Sequence, residues 1–237
     1  MLNNKKYQLP IIITFIIIQV ILFFTVQATK RIAFTVSSYT VVVLCCMFTV
    51  LYFEKSKDYA FTQIALVCTI MADLFLVVIH PIKQLPAMMF FSGTQIFYFL
   101  RLFFNAKNEK EKKAHLIIRA VSSLLAIIIA IVVLKEKTDA VSLISMFYYA
   151  NLIINIVFAF VQYKKSPLFA IGLLLFLGCD TLVGINALVT QYIKSPNSQE
   201  ICNKIFGTLN WAWIFYVPSQ ACLALSLTKF KLNQNAH

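Results

Sequence analysis

Eight stretches of about twenty mostly apolar residues, each long enough for a helix to cross a bilayer, succeed one another along this 237-residue chain. They lie near 9–28, 32–53, 59–78, 85–104, 115–134, 140–163, 168–189 and 205–227. The runs are continuous rather than alternating, which argues against the strands of a membrane barrel. This pattern predicts an all-α integral membrane protein with eight transmembrane helices forming one domain over residues 1–237. Composition agrees: 13% of residues are charged and 60% hydrophobic, whereas soluble domains hold roughly 25% charged residues. No small-residue cleavage site follows the first run, so it reads as a retained helix rather than a signal peptide. The two longest connections, 105–114 and 190–204, are polar and read as surface loops.

The net charge of +12 would suggest nucleic acid in a soluble protein. Here the basic residues sit in short loops between apolar runs, where they orient the chain and meet anionic lipid headgroups, so nucleic acid is not expected as a partner. Lys5, Lys6, Lys55, Lys57, Lys107, Lys110, Lys112, Lys113, Lys164, Lys165, Lys229 and Lys231 fall on one side. Lys30, Arg31, Lys83, Lys135, Lys137, Lys194 and Lys204 fall on the other. The richer side carries both termini, which are therefore expected in the cytoplasm. Arg101 and Arg119 sit just inside the membrane on that side and read first as snorkelling residues; the sharper reading gives one of them a lipid phosphate. Of the six cysteines, five lie in apolar runs and none forms a CxxC pair, so they read as small hydrophobes.

Two aspartates break this pattern. Asp73 and Asp180 are the acids inside the apolar runs. Insertion scales put the cost of an aspartate at a helix centre at roughly 2.5–3.5 kcal/mol, so each calls for a reason. Asp58, ending one loop, lies fifteen residues before Asp73, and Lys165, ending another, lies fifteen before Asp180. At about 1.5 Å per residue both carboxylates come to one depth, about 20 Å from the cytoplasmic side. The repeat suggests two four-helix halves around a central polar cavity, related by an axis along the membrane normal.

Other polar residues share helix faces with this arrangement. Ser92, Gln95 and Tyr98 recur at i, i+3 in the fourth run; Tyr216 and Gln220 are i, i+4 neighbours in the eighth, with Trp213 a turn earlier. Pro218 removes a backbone donor and is expected to bend that helix near Ile214. Tyr148, Asn151 and Asn155 form one stripe in the sixth run. Interhelical hydrogen bonding competes with cavity lining as the role of all these amides and hydroxyls. Gln95, Tyr98, Tyr216, Gln220, Asn151, Asn155 and Arg101 are the candidate substrate-binding residues, and Asp73 and Asp180 the candidate catalytic pair. His80 and His237 lie outside the runs and His115 at a run's edge, so no metal ligand set is expected. No Gly-x-Ser-x-Gly elbow, Walker sequence or Gly-rich phosphate loop is present.

The stretches Ala65–Leu76, Phe91–Tyr98, Gly172–Leu182 and Tyr216–Ala224 together resemble the YhhN family of eight-span membrane proteins. Ala72-Asp73 stands where the family has Gly-Asp, Cys179-Asp180 where it has Ser-Asp, and Gln95 where it has His. The last difference replaces a titratable ring by an amide. Characterised members are lysoplasmalogenases, so the resemblance implies a lysophospholipid substrate, no cofactor, and a place in a bacterial plasma membrane. It implies cleavage of a vinyl ether to a fatty aldehyde and a glycerophospho-headgroup. One carboxyl would protonate the β-carbon of the vinyl ether, and water would add to the resulting oxocarbenium ion. The other, ionised, would stabilise the cation and take the proton from water. Either aspartate can take either role. The alternative is a non-enzymatic lipid-binding protein, or a small transporter coupling a proton or cation to the pair.

Overall fold

In the computed structural model, residues 5–52, 57–189, 200 and 211–228 are described. Among them every long element is a helix: α1 (Lys5–Ala28), α2 (Arg31–Tyr52), α3 (Lys57–Asp73), α4 (Gln84–Phe104), α5 (Glu109–Leu134), α6 (Ala140–Val161), α7 (Pro167–Ala187) and α8 (Trp211–Leu225). Seven of these helices are long and apolar enough to cross a membrane, α3 together with the turn that follows it, while α8 spans 15 described residues. Large apolar side chains crowd the exterior: Phe24 is 64% exposed, Ile117 63% and Val133 70%. A soluble protein would not present such a surface to water; here it suits lipid.

Local chemistry sets several helix ends. Asn108 caps α5, its Oδ1 accepting from the Glu111 amide at 2.8 Å, with Glu109 and Glu111 in the positive first turn. The fifth helix therefore starts six residues before the run at 115–134, and most of the expected loop at 105–114 is helical. Polar residues hid this start, because a helix leaves the apolar layer without ending there. Asp139 and Ser142 form a reciprocal capping box at α6. Pro167 occupies the first turn of α7, where its missing N–H costs nothing. α8 runs on through Pro218.

α2, α3, α4, α6, α7 and α8 pack in sequence into a closed ring, α8 returning to α2. Outside it, α1 packs against α2 and α8, and α5 against α6. Small residues bring the tightest pair together, as in other membrane bundles. A Cβ added to Gly172 of α7 would lie 2.8 Å from Leu223 Cγ on α8, and one on Gly178 would lie 2.9 Å from the Phe215 ring. Ser219 Oγ also donates to the Gly172 carbonyl at 2.8 Å. Across α3 and α4, Thr94 Oγ1 meets Thr69 Oγ1 and the Ala65 carbonyl, both at 3.2 Å. The loop at 190–204 apart from residue 200, the first six residues of the run at 205–227, and Lys55, Lys194, Lys204, Lys229, Lys231, Cys202 and His237 lie outside the described residues.

Candidate active site: two tyrosine-held carboxylates

Asp73 stands on the last regular turn of α3. Immediately after it the helix widens over Leu74–Val78, and the Ile79 amide reaches back five residues to the Leu74 carbonyl at 2.9 Å. Such wide turns recur at functional sites because they free helical positions from the regular ladder. Asp73 is 3% exposed. The Tyr216 hydroxyl of α8 donates to its Oδ2. Hydrogen bonds to charged groups contribute about 1.5–3 kcal/mol, enough to offset much of the aspartate's insertion cost.

Asp180 stands in the second half of α7, half-buried, and accepts on Oδ2 from the Tyr148 hydroxyl of α6. Between the tyrosines runs an aromatic wall: Tyr148 packs on Phe91 at 5.7 Å, Phe91 on Phe176 at 6.0 Å, and Phe176 on Tyr216 at 5.9 Å. Neither aspartate's Oδ1 has a protein partner among the described residues.

One turn deeper, Gln95 and Gln220 each follow this wall by four residues, after Phe91 and Tyr216. Both are fully buried. Gln95 Nε2, both polar atoms of Gln220, Ser92 Oγ and the Tyr98 hydroxyl have no hydrogen-bond partner among the described residues. Leaving such groups unmade costs roughly 1–3 kcal/mol each, a pattern expected of a polar site built for a guest. Gln95 is oriented from behind. Asn155 Nδ2 donates to its Oε1 and to its carbonyl, both at 2.9 Å, and Arg119 donates to Asn155 Oδ1 at 2.7 Å. Arg119 also donates to Asn151 Oδ1 and lies 4.2 Å over the Phe99 ring. Asn151 in turn donates to Ser123 Oγ at 3.2 Å. The two asparagines thus tie α4, α5 and α6 together and position Gln95, rather than meeting the carboxylates.

An apolar groove of about 610 Å³ adjoins the site, lined by Ile32, Phe34, Leu76, Val77, Val78 and Trp213 among others. Leu76 is three residues past Asp73, and the Trp213 ring meets that of Tyr216 at 5.0 Å. The groove's chemistry suits an acyl chain; neither Asp73 nor Tyr216 lines it, and Trp213 links it to Tyr216.

The structure does not bring Arg101 to this site. Its guanidinium donates to Thr62 of α3 and lies 4.1 Å over Phe169 of α7. Thr62 and Phe169 each precede their helix's aspartate by eleven residues, which puts Arg101 roughly 16 Å along the bundle from both. Arg101 does not snorkel either: it is 3% exposed and faces inward. Three hydroxyls, Thr62 within α3, Ser166 just before α7 and Ser226 just after α8, reward that direction. Arg119 likewise turns to Asn151 and Asn155 rather than outward.

Tyr148 belongs to the site as directly as Tyr216, yet the sequence only places it on a stripe with Asn151 and Asn155. Its spacing was visible; its partner was not, because α6 and α7 meet only in the folded bundle. The wide turn after Asp73 leaves no mark in Leu74-Phe-Leu-Val-Val78, an ordinary apolar run.

Fold and site define a helical membrane protein with two tyrosine-held carboxyl groups in its interior. The model of the YhhN family matches residues 40–227, from within α2 to the end of α8, and the chain belongs to that family. No curated protein and no solved structure matches it.

Proposed function

We propose that this protein is a lysoplasmalogenase-like hydrolase that cleaves the vinyl ether bond of a lysoplasmalogen with Asp73 and Asp180. The observation that carries this reading is the pair itself: two carboxyl groups, each held on Oδ2 by a tyrosine hydroxyl, the two tyrosines standing at either end of one aromatic wall, and each Oδ1 without a protein partner among the described residues. Family membership supports it, as does the adjoining apolar groove.

Two carboxylates sharing a site tend to hold one proton between them. The protonated member delivers that proton to the β-carbon of the vinyl ether, converting the C=C–O unit to an oxocarbenium ion. The ionised member faces the cation and takes a proton from the water that adds to it. The resulting hemiacetal collapses, releasing a fatty aldehyde and the glycerophospho-headgroup alcohol, so one water is consumed per bond cleaved. Tyr216 and Tyr148 fix which oxygen of each carboxyl is presented. Gln95 and Gln220, with unused amide groups one turn deeper, suit the glycerol hydroxyl and the water. The chemistry needs no cofactor.

The architecture we propose is a single domain of eight spans in two four-helix halves. Helix pairing supports it: α1–α2, α2–α3 and α3–α4 in one half answer to α5–α6, α6–α7 and α7–α8 in the other, and the contacts between the halves, α4–α6 and α8–α2, answer to each other. The lysine distribution supports cytoplasmic termini, in what we take to be a bacterial plasma membrane.

The test is direct. Purified protein given a lysoplasmalogen releases fatty aldehyde, and Asp73→Asn and Asp180→Asn each reduce release on the order of 10²-fold or more, the range of general acid–base catalysis. A folded, monodisperse protein that releases no aldehyde from any lysoplasmalogen would turn the reading to lipid binding or transport.

A further inference from the structure

At the end of the bundle away from the aspartates, five helices terminate around a polar pocket of about 330 Å³. Its polar lining includes Arg101, Lys165, Asn105, Ser166, Ser226 and Asp58. Arg101 forms its inner wall. Its guanidinium donates to Ser226 Oγ at 2.7 Å, Thr62 Oγ1 at 3.0 Å, and Ser166 Oγ and the Ser226 carbonyl at 3.3 Å. The three hydroxyls pass their own protons to carbonyls, Ser226 to Leu223, Thr62 to Asp58 and Ser166 to Ser226. They hold the guanidinium but bring it no negative charge.

That absence is the unusual feature. Buried cations are ordinarily paired with an anion, because removal from water is costly. Among the described residues the ion pair within 4.0 Å is Lys112–Glu109, and none involves Arg101. Asp58 faces the same pocket and acts on Arg101 through its charge without forming an ion pair within 4.0 Å; its Oδ1 accepts from Asn105 Nδ2 at 2.7 Å. Ser166 precedes α7 without bonding that helix's first amides, since its hydroxyl faces Arg101 and Ser226. The positive end of α7 therefore opens toward the pocket. Lys165 stands at the mouth, its Nζ donating to the Asn105 carbonyl at 2.7 Å. Among the described residues the lining thus carries two cations, a helix N-terminus and one acid.

We propose that this pocket is a binding site for a phosphate-type oxyanion, separate from the carboxylate pair and independent of the activity proposed above. The reacting lipid cannot supply the phosphate. Five bonds separate a lysolipid's ether oxygen from its phosphorus, at most about 7 Å, against the roughly 16 Å between Arg101 and the aspartates. The site lies where helices end, the level at which a second phospholipid carries its phosphate. With its Nη–H donors held by Thr62, Ser166 and Ser226, Arg101 offers the phosphate its charge over the Phe169 ring, and Lys165 Nζ, which has one bond among the described residues, has donors left for a direct hydrogen bond.

Thermal unfolding in a non-ionic maltoside detergent tests this, with inorganic phosphate, glycerophosphoglycerol and dioctanoyl phosphatidylglycerol titrated separately against chloride at equal ionic strength. Saturable stabilisation is expected. Inorganic phosphate acting as well as the other two identifies a free-phosphate site; stabilisation confined to the headgroup or the lipid identifies a phospholipid site. Asp58→Asn, which removes the competing charge and keeps an acceptor for Asn105, lowers the midpoint concentration roughly threefold to tenfold, and Lys165→Gln raises it by a similar factor. Arg101→Gln abolishes the response; should that variant not fold, the two opposite shifts carry the test. No stabilisation beyond chloride, or equal midpoints in wild type, Asp58→Asn and Lys165→Gln, overturns the proposal.

Discussion

The hydroxyl of Tyr216 donates to Asp73 across 143 residues of chain, joining the last described helix to the third. Tyr148 does the same for Asp180 from the helix just before it. The two carboxyl groups are thus held from different sides: one by the ring-closing helix α8, the other by α6. Phe91 stands on α4 where α8 has Tyr216, each four residues before a buried glutamine, so the two halves present unlike walls to a guest.

Removing one phenol tests its positioning role. Tyr216→Phe keeps the ring packing against Phe176 and Trp213 but leaves Asp73 Oδ2 without a donor. Aldehyde release is expected to fall roughly 10-fold to 100-fold, chiefly in kcat, with melting temperature nearly unchanged. Tyr148→Phe should behave alike toward Asp180. Wild-type turnover in both variants would reduce the tyrosines to structural donors.

The aspartates act as a unit in the proposed reaction, so their losses should not add. The double variant Asp73→Asn/Asp180→Asn is expected to be little slower than the worse single variant. Asparagine is near-isosteric with a carboxylic acid, and far-ultraviolet circular dichroism should confirm that each variant stays helical. Fully multiplicative losses would argue for two independent roles.

Gly172 sets the distance between α7 and α8. A methyl group there would press on Leu223 at 2.8 Å from Cγ and 3.1 Å from the backbone nitrogen. Overpacking of this kind costs about 1–3 kcal/mol. Gly172→Ala should lower the melting temperature by several degrees, and, by moving Tyr216 from Asp73, reduce turnover. Gly184, with nothing within 4 Å of an added Cβ, is the control: Gly184→Ala should leave the melting temperature unchanged or slightly raised.

Metal should not be needed. Among the described residues no three His, Cys, Asp or Glu side chains come together as a ligand set. Aldehyde release is expected to survive prolonged dialysis against a strong chelator. Loss of activity restored by Zn²⁺ would replace acid–base chemistry with a metal site.

Orientation can be read by labelling. In a cysteine-free background, single cysteines at Lys83 and Lys137 should react with an impermeant maleimide added outside intact cells, and one at Lys110 should not. The reverse pattern would invert the topology.

Much of this protein is written locally. Length and continuity of the apolar runs determine membrane helices, because a backbone in hydrocarbon must satisfy its own hydrogen bonds. The cost of a charge at bilayer depth singles out Asp73 and Asp180 without any knowledge of the fold. Even the start of α5 is signalled by Asn108 and its following glutamates, although hydropathy alone passes over it. What no stretch of sequence contains is the meeting of distant helices. Whether Tyr148 or Tyr98 would hold a carboxylate, whether Arg101 would turn outward to water or inward to Thr62, Ser166 and Ser226, and whether Asn155 would face a ligand or Gln95 depended on which helices became neighbours. Lipid is as apolar as the side chains it touches and does not say which helix faces belong together. Close packing at Gly172 and Gly178, together with these buried hydrogen bonds, makes that choice, and it exists only in the assembled bundle.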